Sequence, residues 1–173
     1  QAVRKADDEQ ALFSFDMLGE AARSEVDCDR YFAAYQDAIG NVGSTAQHDD
    51  VNRNSGVSIK LSALSCRFAT RYWMNSRDDL IRRVCALAVD ARRYNIPVTI
   101  DAEECARLQP SLDVFESVLR HPDLRAWNGL GMVIQAYARH ADAVVDRLEA
   151  LARTHQIRIS VRLVKGAYWD TEI

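Results

Sequence analysis

Gly56-Val57-Ser58-Ile59-Lys60-Leu61 alternates in polarity; Leu80, Val84, Leu87, Ala91 and Tyr94 then recur at steps of 4, 3, 4 and 3; Pro97-Val98-Thr99-Ile100-Asp101 is β-branched again. A period of two, then one near 3.6, then a β-branched run predicts strand, helix, strand. Two strands joined by such a helix pair in parallel through a right-handed crossover. Residues 56–101 are therefore one βαβ unit, and the chain on both sides repeats it.

Towards the N-terminus, Phe13 to Leu18 reads as a strand, and Cys28, Phe32, Tyr35 and Ile39 form one helix face. The polar stretch Gly40 to Ser55 exceeds the usual loop length, and its composition favours mobility. Towards the C-terminus, Pro110 suits the first turn of a helix with Leu112, Phe115 and Leu119 inward, ending before Pro122. Asn128-Gly129 is a turn signal ahead of a strand from Leu130 to Ala136. A helix with Ala141, Val144, Val145, Leu148 and Ala152 on one side follows. The strand Ile157 to Val164 then ends at Lys165-Gly166. The reading is a polar N-terminal segment, 1–12, then five strands and four intervening helices over 13–173.

Composition bounds the function. The 173 residues carry 22 Lys+Arg against 25 Asp+Glu, a net charge of −3, with 48% hydrophobic and 27% charged residues. That is a globular composition with no basic excess to neutralise phosphates, so no nucleic-acid partner is expected of this segment. No apolar run approaches the roughly 18–20 residues of a membrane span. Cys28, Cys66, Cys85 and Cys105 lie 38, 19 and 20 apart, without CxxC or Cys–His spacing. They read as reduced thiols of a cytoplasmic protein, and no metal site is expected.

Two α/β architectures compete. A dinucleotide-binding sheet expects GxGxxG after its first strand, but Leu18-Gly19-Glu20-Ala21-Ala22 holds a single glycine. A barrel has positive support, because polar residues cluster where strands end: Asp16 and Glu20, Lys60 and Ser62, Asp101 and Glu103, Gln135 and Tyr137, Arg162 and Lys165. In α/β barrels that face carries the active site. The fold class expected is α/β, a partial (β/α)8 TIM-type barrel with strands 1–5 of 8, since a whole one needs roughly 250 residues. Two open edges and an exposed apolar inner face follow from that expectation.

The strand ends suggest chemistry. Lys60 suits a carboxylate or phosphate, or merely snorkels from a strand edge. Asp101 and Glu103, at i and i+2, share a face if their strand runs that far; they could act as acid and base, bind a metal or orient a donor. Glu104 reads as a helix-entry cap. Gln135, on a face with Tyr137, offers the donor and acceptor that match a flavin pyrimidine edge or a nucleobase. Arg162, with Ser160 and Val164 on its face, could stabilise a reduced flavin or serve as a structural ion pair. Lys165-Gly166-Ala167 combines a cation with close backbone approach, suiting a phosphate or a ring. His48, His121, His140 and His155 lack metal-ligand spacing and read as surface or capping residues.

Together, Asp16-Met17-Leu18-Gly19-Glu20-Ala21, Ser58-Ile59-Lys60-Leu61-Ser62-Ala63-Leu64, Ile100-Asp101-Ala102-Glu103-Glu104, Val133-Ile134-Gln135-Ala136-Tyr137 and Arg162-Leu163-Val164-Lys165-Gly166-Ala167-Tyr168-Trp169-Asp170 closely resemble the proline dehydrogenase domain of the bacterial proline utilization A flavoenzymes. The five motifs stand in the family's order from about Phe13 to the last residue. The resemblance implies an FAD-dependent barrel that oxidises L-proline to Δ1-pyrroline-5-carboxylate, hydride passing from proline C5 to flavin N5 and electrons on to membrane quinone, with peripheral membrane association.

By the same resemblance, Lys60 pairs with the proline carboxylate. Asp101 arranges the substrate pocket, with Ala167 and Tyr168 beside it. Gln135 binds the pyrimidine edge, Arg162 lies near N5, and Val164, Lys165, Gly166 and Ala167 line the ring and its ribityl-phosphate chain with Trp169 close by. Glu20 meets an arginine of the closing helix. The family's substrate-clamping arginines and tyrosines belong to later barrel units, so the segment alone is expected neither to hold FAD tightly nor to turn over. The remaining barrel units and an aldehyde dehydrogenase module are the partners implied. Rival readings are a Schiff-base lyase using Lys60 or Lys165, and a non-catalytic barrel fragment. A metal hydrolase through Asp101 and Glu103 lacks a neighbouring histidine ligand.

Overall fold

The computed structural model describes residues 11–17, 21–68, 70–168 and 170. Five parallel strands form one sheet in chain order: β1 (Ser14–Asp16), β2 (Gly56–Ile59), β3 (Val98–Ile100), β4 (Leu130–Gln135) and β5 (Ser160–Val164). The helices between them are α1 (Glu25–Gly43), α2 (Leu61–Leu64), α3 (Trp73–Arg93), α4 (Leu108–Leu119) and α5 (Ala141–His155).

Alternation along the strands divides the sheet into two faces. Val57, Ile59, Val98, Ile100, Leu130, Met132 and Ile134 point outward and are buried beneath the helices with Tyr35, Ile39, Leu80, Val84, Leu87, Phe115 and Val118. Each fully buried large apolar side chain contributes roughly 1.5–3 kcal/mol. The helix faces predicted around α3 and α4 are the buried ones, and α4 ends at Leu119, before Pro122 as expected. Tyr94 differs: it lies just past α3 and is half exposed.

The inner face contradicts the expectation of an apolar lining. Ser14, Ser58, Arg162 and Asp101 meet there: Arg162 Nη1 donates to Ser58 Oγ at 3.0 Å and to Ser14 Oγ at 3.2 Å, and Nη2 donates to Asp101. A side chain of β5 thus reaches β1 and β2 across the concave side, which requires a strongly curled sheet. Gly131 sits on the same face; a Cβ there would lie 2.9 Å from the Ser160 carbonyl oxygen, so the missing side chain lets β5 approach.

Other boundaries shift for local reasons. β2 ends at Ile59, and Leu61 opens a helical turn instead of extending the strand. β1 is three residues and β5 begins only at Ser160. The stretch 40–55 is not a loose loop. α1 runs to Gly43, residues Val51–Arg53 form a 3-10 turn, and buried Asn54 ties the rest down. Its Oδ1 accepts from Gln47 N (3.1 Å) and His48 N (3.0 Å), and its Nδ2 donates to the His48 and Asn95 carbonyls at 2.8 and 2.9 Å. The polar composition that suggested mobility supplies these bonds instead.

Candidate active site

Lys60 follows β2 directly, and its backbone N–H donates to the Tyr35 hydroxyl of α1 at 3.0 Å. That buried anchor aims the side chain inward at the C-terminal rim, where Nζ lies 2.5 Å from Asp16 Oδ2 and 3.0 Å from Asp101 Oδ2. Burial works against the charged ammonium, but hydrogen bonds to Asp16 and Asp101 outweigh it and hold the lysine pKa above its ordinary value. Burial also pushes the Tyr35 phenol up to about 12. The other Asp101 oxygen accepts from Arg162, so Asp16, Lys60, Asp101 and Arg162 form an unbroken row of alternating charge. The side chain of Lys60 is 10% exposed and that of Asp16 48%, so the row opens to solvent at its Asp16 end.

A second cluster adjoins it. Gln135, ending β4, is buried; its Nε2 donates to the Glu103 carbonyl at 3.1 Å and its Oε1 accepts from Ala167 N at 2.9 Å. Gly166 adopts φ +129°, and a Cβ there would fall 2.0 Å from the Tyr137 ring. Only glycine suits both the conformation and the contact. The segment after β5 is thereby laid against the rim next to β4.

Glu103 departs from its expected role. β3 stops at Ile100, so Asp101 and Glu103 do not share a strand face. Glu103 Oε1 accepts from Ser62 N at 2.9 Å and its other oxygen meets Arg107, which makes it a tie between the rim segments after β2 and β3. Both carboxylates are engaged by protein cations and donors, which leaves the metal-hydrolase reading without free ligands.

A family model for proline dehydrogenase matches residues 1–173. The chain is 42% identical over 171 residues to the bifunctional protein PutA of Escherichia coli (strain K12), covering 99% of the chain and 13% of that protein.

The chain belongs to the proline dehydrogenase family.

Among solved structures, a Bradyrhizobium japonicum proline utilization A mutant superposes with a TM-score of 0.89 at 46% identity, over 92% of the chain and 16% of that protein. The proline utilization A of Bdellovibrio bacteriovorus, inactivated by N-propargylglycine, gives 0.90 at 27% identity, over 99% and 19%. The chain thus spans a small fraction of the relatives it matches, and its curled five-stranded sheet is the partial α/β barrel of that family.

Of the residues singled out from sequence, Lys60, Asp101 and Arg162 touch one another in a chain, and Gln135, Gly166 and Ala167 form the adjoining cradle. Val164 ends β5 on the inner face with Arg162, Lys165 is exposed, and Tyr168 is half-buried. Glu20 and Trp169 lie outside the described residues. Asp16 emerges as a direct Lys60 partner and Tyr35 as its anchor. Tyr35 carried a sequence signal, being the one polar tip on an otherwise apolar helix face. Ser14 and Ser58 carried none beyond strand alternation.

Proposed function

We propose that the protein carrying this chain is an FAD-dependent proline dehydrogenase that converts L-proline to Δ1-pyrroline-5-carboxylate and passes electrons to a membrane quinone. The observation that carries the reading is the row Asp16–Lys60–Asp101–Arg162 lying beside the Gln135–Ala167 cradle on one rim. On this reading the row supplies a cation for a carboxylate substrate next to a second cation for an electron-rich ring.

The residues present fit a flavin. Gly166 leaves a backbone surface without a Cβ, and the Gln135 amide, locked by two backbone partners, stands beside it. Gln135, Arg162, Val164, Lys165, Gly166 and Ala167 would hold it, and when bound it supplies the hydride acceptor. Lys60 takes the proline carboxylate by exchanging its exposed contact with Asp16, since buried Asp101 is also tied to Arg162. Asp101 acts as a strut that sets the spacing of the two cations. Arg162 places positive charge where negative charge accumulates during oxidation. Ala167 and Tyr168 border the substrate.

The Schiff-base alternative needs a lysine whose pKa is depressed so that it can act as a free amine. Lys60 is shifted the opposite way by its two carboxylates. Later barrel units complete the site, and an aldehyde dehydrogenase module consumes the product in the longer protein. That protein is cytoplasmic, meeting the membrane peripherally; no helix of the described residues is long and apolar enough to cross it.

The test is an absorption spectrum of the complete protein. Flavin bands should be present, should bleach anaerobically on L-proline addition, and should become refractory after treatment with N-propargylglycine. A colourless protein, or bands indifferent to proline, would refute the assignment.

A further inference from the structure

The N-terminus of α1 and the turn after α2 bring together two thiols and a carboxylate that take no part in the row around Lys60. Cys28 Sγ, Cys66 Sγ and a Glu25 carboxylate oxygen all lie within 4.8 Å of one another. The Cys66 N–H donates to Cys28 Sγ at 3.1 Å, and the Cys66 thiol donates to Glu25 Oε1 at 3.2 Å. Cys28 is buried, Cys66 half-buried and Glu25 exposed, so the cluster opens to solvent on its carboxylate side. Glu25 Oε2 lies 3.7 Å from Arg83 Nη2 of α3, a guanidinium also held by Asp29 at 2.7 Å and Asp79 at 3.0 Å.

We propose that Glu25, Cys28 and Cys66 form a binding site for one thiophilic divalent cation of the zinc class, with water as the fourth ligand.

Two thiolates and one carboxylate are a donor set that selects such ions over magnesium or calcium. A tetrahedral zinc site places sulfurs about 3.8 Å apart and sulfur and oxygen about 3.5 Å apart. The Cys66–Glu25 distance of 3.2 Å is close to the second of these, and all three ligand atoms lie within 4.8 Å of one another. The outer contacts are those a metal site needs: a backbone N–H on one sulfur and a guanidinium orienting the non-ligating carboxylate oxygen.

Burial raises the thiol of Cys28 and pushes that of Cys66 up to about 11; Glu25 adds to both shifts, while the Arg83 charge opposes that of Cys28. A cation takes both sulfurs as thiolates, so binding releases their protons and its affinity rises with pH. The same protonated thiols are slow in disulfide exchange, which requires thiolate. A bound ion would fasten the start of α1 to the turn after α2, two segments of the rim that bears Lys60. The inference is independent of proline oxidation.

Cadmium(II) titration of the reduced, complete protein near neutral pH tests it, read as the thiolate-to-metal ultraviolet band. One equivalent should saturate the wild-type band. Cys66→Ser and Cys28→Ser should each remove about half of the signal, and Glu25→Gln should keep the saturated amplitude while weakening cadmium about tenfold. Zinc should displace the cadmium. Because Cys28 is buried and its variant can misfold, Cys66→Ser, confirmed as folded by circular dichroism, decides the matter alone. A band undiminished in Cys66→Ser, or a Cys28–Cys66 disulfide in protein purified without reductant, would overturn the proposal.

Discussion

Asp101 is shared between two cations, and this sharing governs how substitutions at Lys60 and Arg162 behave. Lys60→Ala should raise the proline concentration needed for half-maximal flavin reduction by about 10–100-fold, because it deletes a charge-assisted carboxylate contact. Arg162→Met should mainly slow the reduction step. Since both act on Asp101, the double variant should be non-additive; stopped-flow reduction across a proline series would detect additivity and so reject the coupling. Tyr35 offers a cleaner test of stability. Burial lifts its folded pKa from the ordinary 10.0 to about 12, so its contribution is fully present below pH 10 and lost as pH rises through 12. Two units correspond to about 3 kcal/mol. Tyr35→Phe should flatten the alkaline stability profile in urea titrations, while costing about 1–2 kcal/mol at neutral pH through the orphaned Lys60 N–H.

Between strands and helices, connections carry as much of the structure as the regular elements. Asn54→Ala removes four bonds between a buried side chain and backbone and should cost about 2–4 kcal/mol, measurable as a lower urea midpoint with unchanged slope. Gly166→Ala should displace Tyr137 and disturb the Gln135–Ala167 bond, lowering flavin content at purification by about tenfold; full flavin occupancy would show that the cradle tolerates a side chain. β2, β3 and β5 were legible from β-branched residues bounded by Gly or Pro, β4 from an apolar run after Asn128-Gly129, and β1 from the alternation of Phe13, Ser14, Phe15 and Asp16. The reach of each was less so. Whether Leu61 continues β2 or turns into α2 depends on Tyr35 capturing the Lys60 N–H from a helix 25 residues earlier. The ordered path of 40–55 likewise depends on Asn95, far along the chain.

At the scale of the molecule, one face of β5 is bare. Val161 and Leu163 are 44% and 65% exposed, and among the described residues β1 and β5 end the sheet with no strand paired beyond them. The 173-residue chain expressed alone should therefore self-associate, and Leu163→Lys should shift it towards monomer in sedimentation velocity. The rim chemistry was readable from strand-end residues, since barrel topology sends them all to one end. The polar lining was not. An alternating strand does not announce which of its faces turns inward, and Ser14, Ser58 and Arg162 acquire meaning only once the sheet curls.

That curl has a temporal side. Arg162 joins Ser14 across 148 positions of chain, so the clasp between β1 and β5 waits for β5 to leave the ribosome. Until then the nascent sheet is an open ribbon whose serines face water comfortably, and a polar lumen spares it the sticky intermediate that a greasy one would present to chaperones.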